Sequence, residues 1–241
     1  MRGGDVRAMI QGMKTIVMAG GLLVSAALLT GCGLTSIGGS ANRDTVTYQV
    51  TDKVAKLSLK SGSGDADITE TGGNAVRVVE MLRWNDEKPE TEHKVDGDLL
   101  SMSYDCPAKW DNCGVDYKIE IPKGLQVDLD GGSGDITLTS LTGPIGVSVG
   151  SGNVKGTGLA GEQVSVETRS GDAELKYTAV PGGVDMKTGS GNATLHVPDG
   201  PYEVRTKAGS GEIQVSVKNV VSSPHKVTMT TGSGDINVLP G

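Results

Sequence analysis

The stretch Val164-Ser165-Val166-Glu167-Thr168-Arg169-Ser170-Gly171-Asp172-Ala173-Glu174-Leu175 alternates apolar and polar residues on either side of a Ser-Gly-Asp tripeptide. Alternation at period two marks a strand with one buried face, and glycine between serine and aspartate marks a tight turn. The tripeptide, or a close variant, recurs with its serine at positions 63, 133, 151, 170, 190, 210 and 233. The last six copies lie 18 to 23 residues apart, with a mean of 20, and a repeat of that length signals stacked coils. Aligned on the serine, position −6 holds Val127, Ile145, Val164, Val184, Val204 and Val227, and position −4 holds Leu129, Val147, Val166, Met186, Thr206 and Met229. Position +3 holds Ile136, Val154, Ala173, Ala193, Ile213 and Ile236, and position +5 holds Leu138, Gly156, Leu175, Leu195, Val215 and Val238. The first copy fits the same pattern with Leu57, Leu59, Ala66 and Ile68.

These positions predict an all-β fold, a short β-solenoid of stacked ~20-residue coils with two short strands each. Two five-residue strands cannot stand alone, so each coil must be covered by the next. Ser165, Glu167, Lys187 and Thr194 then face water. Length variation falls in the loops that hold Pro144, Pro181, Pro201 and Pro224, where it leaves register undisturbed. Neighbouring coils are expected to set Glu167 beside Lys187 and Asp185 beside Arg205, which favours stacking by a few tenths of a kcal/mol each. At ~4.8 Å per coil, six coils make a rod about 29 Å long.

Residues 72–122 break the period. They hold a strand-like run Ala75–Arg83, a hairpin signal at Asp96-Gly97 and a second alternating run Val115–Ile121. The expected organisation is therefore a leader over 1–31, a flexible tether over 32–43, a first coil with an irregular capping region of larger coils over 44–124, and regular coils over 125–241. Of the three cysteines, Cys106 and Cys113 are expected to pair outside the cytoplasm, across a loop holding Pro107, Trp110 and Asn112. Closing so short a ring contributes about 2.5 kcal/mol. A zinc site would need further ligands, and only His93 is near in sequence.

The leader itself carries Arg2, Arg7 and Lys14, then an apolar or small run Ile16–Leu29 that stops at Leu29-Thr30-Gly31-Cys32. Such a run reaches only ~21 Å as a helix, short of the ~30 Å hydrocarbon core. Met13-Lys14 would be a more conventional start than Met1. Residues 29–32 resemble the lipobox of bacterial lipoproteins. That resemblance implies cleavage before Cys32 and a diacylglyceryl thioether on it, an anchor to the membrane.

The 241 residues include 37 glycines, two tryptophans, five tyrosines and no phenylalanine, with a net charge of −7. No Gly-X-Y period exists, so collagen is excluded. Few aromatics and a negative charge argue against nucleic acid as a partner. Gly131-Gly132-Ser133-Gly134-Asp135 resembles the calcium-binding nonapeptide repeat, yet its spacing is off by one and its period is twenty rather than nine. Residues two past the serine run Asp135, Asn153, Asp172, Asn192, Glu212 and Asp235, where charged and neutral groups mostly alternate. Turn chemistry explains that row, and no metal or cofactor is expected. His93, His196 and His225 are expected in solvent, away from the repeated serines, so no Ser-His-Asp triad forms.

The Ser-Gly-Asp-Ile copies, the Val-x-Leu strands before the turn and the Ile121-Pro122-Lys123-Gly124 lead-in together resemble the bacterial putative-adhesin family of unknown function, DUF4097. The resemblance covers about 45–240. It implies a β-solenoid in the bacterial envelope with no assigned catalytic residues. The expected function is a lipid-anchored surface module, non-catalytic, that binds or senses an envelope component. The alternatives are a structural self-associating scaffold and a β-helix enzyme acting on polysaccharide. Tyr177 is in inward phase, leaving Tyr202 as an aromatic of the regular coils; a recognition patch is expected instead among Trp84, Tyr104, Trp110 and Tyr117. Homo-association is expected through the C-terminal coil, where Leu239, Pro240 and Gly241 alone remain to cover Val227, Met229, Ile236 and Val238.

Overall fold

The computed structural model describes residues 42–107 and 112–241. The first strands are β1 (Asn42–Val50), β2 (Lys56–Gly62), β3 (Ala66–Glu70), β4 (Val76–Trp84), β5 (Glu90–Asp96), β6 (Leu99–Asp105) and β7 (Gly114–Ile121). Next come β8 (Gln126–Ser133), β9 (Ile136–Thr139), β10 (Ile145–Ser151), β11 (Val154–Leu159), β12 (Gln163–Ser170), β13 (Ala173–Tyr177), β14 (Gly183–Ser190) and β15 (Ala193–Val197). The chain closes with β16 (Pro201–Ser210), β17 (Ile213–Val215), β18 (Lys218–Asn219), β19 (Lys226–Ser233) and β20 (Ile236–Pro240).

Each coil sends its first strand into one sheet and, after the Ser-Gly turn, its second strand into the other. The result is two ten-stranded sheets face to face. Sheet one runs β5-β6-β2-β8-β10-β12-β14-β19-β16-β18, and sheet two runs β1-β4-β7-β3-β9-β11-β13-β15-β20-β17. The fold is all-β and solenoid-like, its coils stacked in parallel register. The core lies between the sheets, because the inward positions of both strands meet there. Leu57, Leu59, Ala66 and Ile68 of the first coil are buried, as are Val164, Val166, Ala173 and Leu175 of the coil quoted above.

Glu167 stands directly beside Lys187. Asp185 does not meet Arg205: each flanks Thr228 instead, because the coils are not stacked in sequence order at this end. After β15 the chain skips one place, lays down β16 and β17 a step further along, and returns through residues 216–225. The last coil, β19 and β20, then fills the vacant place with a neighbour on both sides. The expected open end at Val227, Met229, Ile236 and Val238 is therefore a fully buried interior coil. The true end is the coil of β16 and β17, whose Ile213 and Val215 are 47% and 38% exposed.

At Gly156, an added Cβ would lie 2.7 Å from Leu159 Cδ1 and 2.8 Å from Leu175 Cδ2. The strand bulges between these residues, and the fully buried Leu159 fills the space that a side chain at 156 would take. Thr168, Thr188 and Thr231, two residues before the serine, also point inward, in phase with the apolar positions −6 and −4. Each hydroxyl donates to a turn carbonyl, Thr168 to Gly171 at 3.0 Å and Thr188 to Gly191 at 2.9 Å, which removes the cost of burying it.

The capping region is only partly made of coils. β6 and β7 run parallel to β2 and β3 and form one coil, closed by the Cys106–Cys113 disulfide where the others have Ser-Gly-Asp. Beyond it the pairing turns antiparallel: β4 covers β7, β1 covers β4, and the β5–β6 hairpin covers the other sheet. The stack of coils ends here, and β1 and β5 are the edge strands of the two sheets.

Candidate functional site

The repeated turn is held by a ladder of side chains. Asp135 Oδ1 accepts from the Asn153 amide at 2.8 Å, Asn153 Oδ1 from Asp172 at 3.0 Å, and Asp172 Oδ1 from Asn192 at 2.7 Å. The ladder continues through Asn192 to Asp235 and from Asp235 to Glu212, both at 2.8 Å. In the other direction Asp65 accepts from Asp135, and Asp116 of β7 accepts from Asp65. Arg83 closes that end by bonding Asp116 and donating to the Ser63 carbonyl at 2.8 Å. Aspartate and asparagine serve equally because each rung needs one carbonyl-type oxygen on a short stem. Among the described residues no group of three or more His, Cys, Asp or Glu is gathered to hold a metal ion.

The outer face of sheet one carries a shallow groove across several coils. Gly146 and Gly183 form its floor, and Gln126, Asp128, Gln163, Ser165, Asp185 and Lys226 line it. Asp128 and Gln163 lean over the two glycines: an added Cβ would meet Asp128 Oδ1 at 2.6 Å and Gln163 Oε1 at 2.4 Å. A second hollow continues along Lys60, Asp130, Ser148 and Glu167. Lys56 pairs with Asp128, so the walls mix both charges with amides and hydroxyls. Such a surface offers hydrogen bonds and no ring to stack on. It suits a polar partner.

The histidines lie apart from one another. His196 lies 3.9 Å from Glu174, whose carboxyl is held below its usual range by the hydrogen bond from Lys176. His93 stacks on Tyr48 with ring centroids 4.3 Å apart. His225 Nδ1 is 2.9 Å from the Pro181 carbonyl, which places this ring in a structural contact rather than in a free loop.

The aromatics of the capping region serve packing more than display. Tyr117 is buried, and Tyr104 is half-buried with its hydroxyl accepting from the Ser63 amide at 2.8 Å. Trp84 is half-buried, with the Lys88 ammonium 5.6 Å from its ring centre. Trp110 lies outside the described residues, as do Cys32 and the segment 1–41. Tyr202, the remaining ring of the regular coils, is buried with its hydroxyl donating to the Pro198 carbonyl at 2.8 Å. Burial pushes the phenols of Tyr48, Tyr117 and Tyr177 well up from their ordinary value.

Beneath the cap sits a polar pocket that sequence reasoning missed. Glu80 is 1% exposed, accepts from the Tyr48 hydroxyl at 2.7 Å through Oε1, and has no partner for Oε2 among the described residues. Its signal is the alternation of β4 itself, which puts residue 80 in phase with Val76 and Val78.

A family model described as Toastrack DUF4097 matches residues 35–239. Among solved structures, one described as a putative cell adhesion protein from Clostridium sporogenes superposes with a TM-score of 0.55 at 16% identity, covering 83% of this chain and 100% of that one. Another, described as a putative adhesin from Bacteroides fragilis, gives a TM-score of 0.50 at 15% identity, covering 83% and 99%. Among curated proteins, none matches this sequence.

Proposed function

The chain belongs to the Toastrack DUF4097 family, and from that premise we propose that it is a non-catalytic binding module of the bacterial envelope, tethered to the membrane through a lipid on Cys32. The groove on sheet one carries this reading: its polar walls are spread along the rod rather than converging on a reacting atom. The two solved structures described as a putative cell adhesion protein and a putative adhesin share the fold, and the family model covers residues 35–239. The motif at Leu29–Cys32 supports the anchor.

Two measurements test this reading. Cys32→Ala abolishes lipid labelling and releases a soluble or unprocessed form from the membrane fraction; full retention of the variant with an intact N-terminus would defeat the anchor. Gly146→Arg with Gly183→Arg fills the groove while the protein stays in the membrane fraction, and attachment of the cells to a surface falls. Attachment equal to wild type would take the groove out of the proposal.

A further inference from the structure

The end coil leaves a specific set of groups uncovered. Within a strand, the amide and carbonyl of one residue point to the same edge, and successive residues alternate. The Glu203 amide donates toward the β19 side, to the His225 carbonyl, and the Val204 amide donates outward, to Asn219 Oδ1 at 3.1 Å. Asn219 also donates to the Val204 carbonyl, standing in for a neighbouring strand at that one residue. β18 pairs only Pro201 and Tyr202, so Thr206 and Ala208 aim their backbone groups past the end of the rod. Just past β17, the Ser216 amide donates to Val238 of β20, which leaves the backbone groups of Ile213 and Val215 aimed outward in the same way. At the opposite end the edge strands are β1, which runs with the coils, and β5, which runs against them, so a head-to-tail stack would pair one sheet parallel and the other antiparallel.

From this we infer that the β16–β17 end is a homophilic docking surface, which takes the same end of a second copy of this chain. A two-fold contact pairs edges antiparallel and satisfies both at once. Charge selects between the two axes available. β16 carries Arg205 and Lys207 on its outer side, and the turn into β17 carries Glu212, all exposed. An axis along the strands sets β16 against β17 of the other copy, cation side to acid side. An axis across the strands would set β16 against β16, cation side to cation side.

Position in the fold gives the contact its use. β1, where the chain enters from its N-terminal segment, is the first strand of sheet two, and β17 is the last. Nine strand spacings of ~4.8 Å put about 43 Å between the tethered end and the docking end. This part rests on the anchored reading proposed above: with Cys32 lipidated, the docking end points away from its membrane, and end-to-end pairs join two opposing membranes. One coil cross-section buries far less than the ~800 Å² per partner of a stable interface. The contact is therefore weak singly and effective when many copies face each other.

Full-length lipidated protein, reconstituted into two dye-labelled vesicle populations, tests this. Vesicles cluster when both populations carry protein, and Val215→Lys lowers clustering at least tenfold at an unchanged melting temperature. Lys207→Glu and Glu212→Lys each weaken clustering, and the double substitution restores it. Clustering that needs protein on only one population, or that ignores Val215→Lys, overturns the inference. If the protein fails to float with the vesicles, the anchor is at fault; sedimentation of the same protein free of lipid then reads docking alone. A strict monomer across the concentration series would overturn it.

Discussion

Asp172 both gives and receives along the turn ladder: its Oδ1 accepts from Asn192 and its amide donates to Asn153. Glu212 only donates, because no coil lies beyond it. Asp172→Ala leaves the Asn192 amide without its partner and is expected to cost about 1–2 kcal/mol. Glu212→Ala is expected to stay within ~0.5 kcal/mol, as a surface change with no lost acceptor. Urea melts of the two variants separate them, and equal losses would mean that the ladder bonds carry no stability. Glu80 makes the opposite case. It is a buried carboxylate with one unpartnered oxygen, beside the buried and equally unpartnered hydroxyl of Tyr117, its cross-strand neighbour. Glu80→Gln keeps the acceptor for Tyr48, removes the charge and offers Tyr117 a donor. It is expected to raise stability by about 1 kcal/mol, whereas Glu80→Ala strands the Tyr48 hydroxyl and lowers it by about 2 kcal/mol. A loss with glutamine equal to that with alanine would show that the charge itself is needed.

The turn is the element on which the stack depends, and its glycines differ in kind. At Gly171 φ is +137°, and an added Cβ would lie 2.0 Å from the Gly152 carbonyl oxygen of the preceding coil. At Gly124 φ is +77°, and nothing lies within 4 Å. Gly171→Ala must push two coils apart and is expected to cost more than ~3 kcal/mol; Gly124→Ala bears only the left-handed backbone, about 1 kcal/mol. Thermal unfolding ranks them, and a Gly171→Ala protein melting within a degree or two of Gly124→Ala would refute the coil-contact reading. Turns and strands were legible because alternation and glycine are local signals with local causes. The inward threonines were less so: Thr168, Thr188 and Thr231 keep the inward phase of their strands, but nothing local shows the carbonyls that accept their hydroxyls. Leu159 was hidden for a similar reason, since the vacancy it fills belongs to Gly156, three residues before it.

At the scale of the whole molecule, sequence order and stacking order part company, and the sequence held a signal of it that periodicity could not weigh. Position −4 is Leu, Val or Met in every regular coil except one, where it is Thr206, and position +2 is Asp or Asn except in that same coil, where it is Glu212. A coil with a weak inner residue and a side chain of the wrong length for the ladder fits only where neither is asked to template a neighbour. The groove of sheet one was equally out of reach, because only the parallel register sets Gly146 beside Ser165, Ser165 beside Asp185 and Gln163 beside Gly183. The coil order makes a prediction that a stack in chain order would invert. Amides of β19 and β20, the last strands in sequence, lie between two coils and are expected to exchange with solvent only through global unfolding. Amides of Thr206, Ala208, Ile213 and Val215, farther from the chain terminus, aim past the end of the rod and exchange through local opening. Hydrogen exchange read by mass spectrometry on peptides 201–215 and 226–240 resolves the two. Slow exchange in the first with fast exchange in the second would restore the terminal coil to the end of the rod and take the homophilic surface with it.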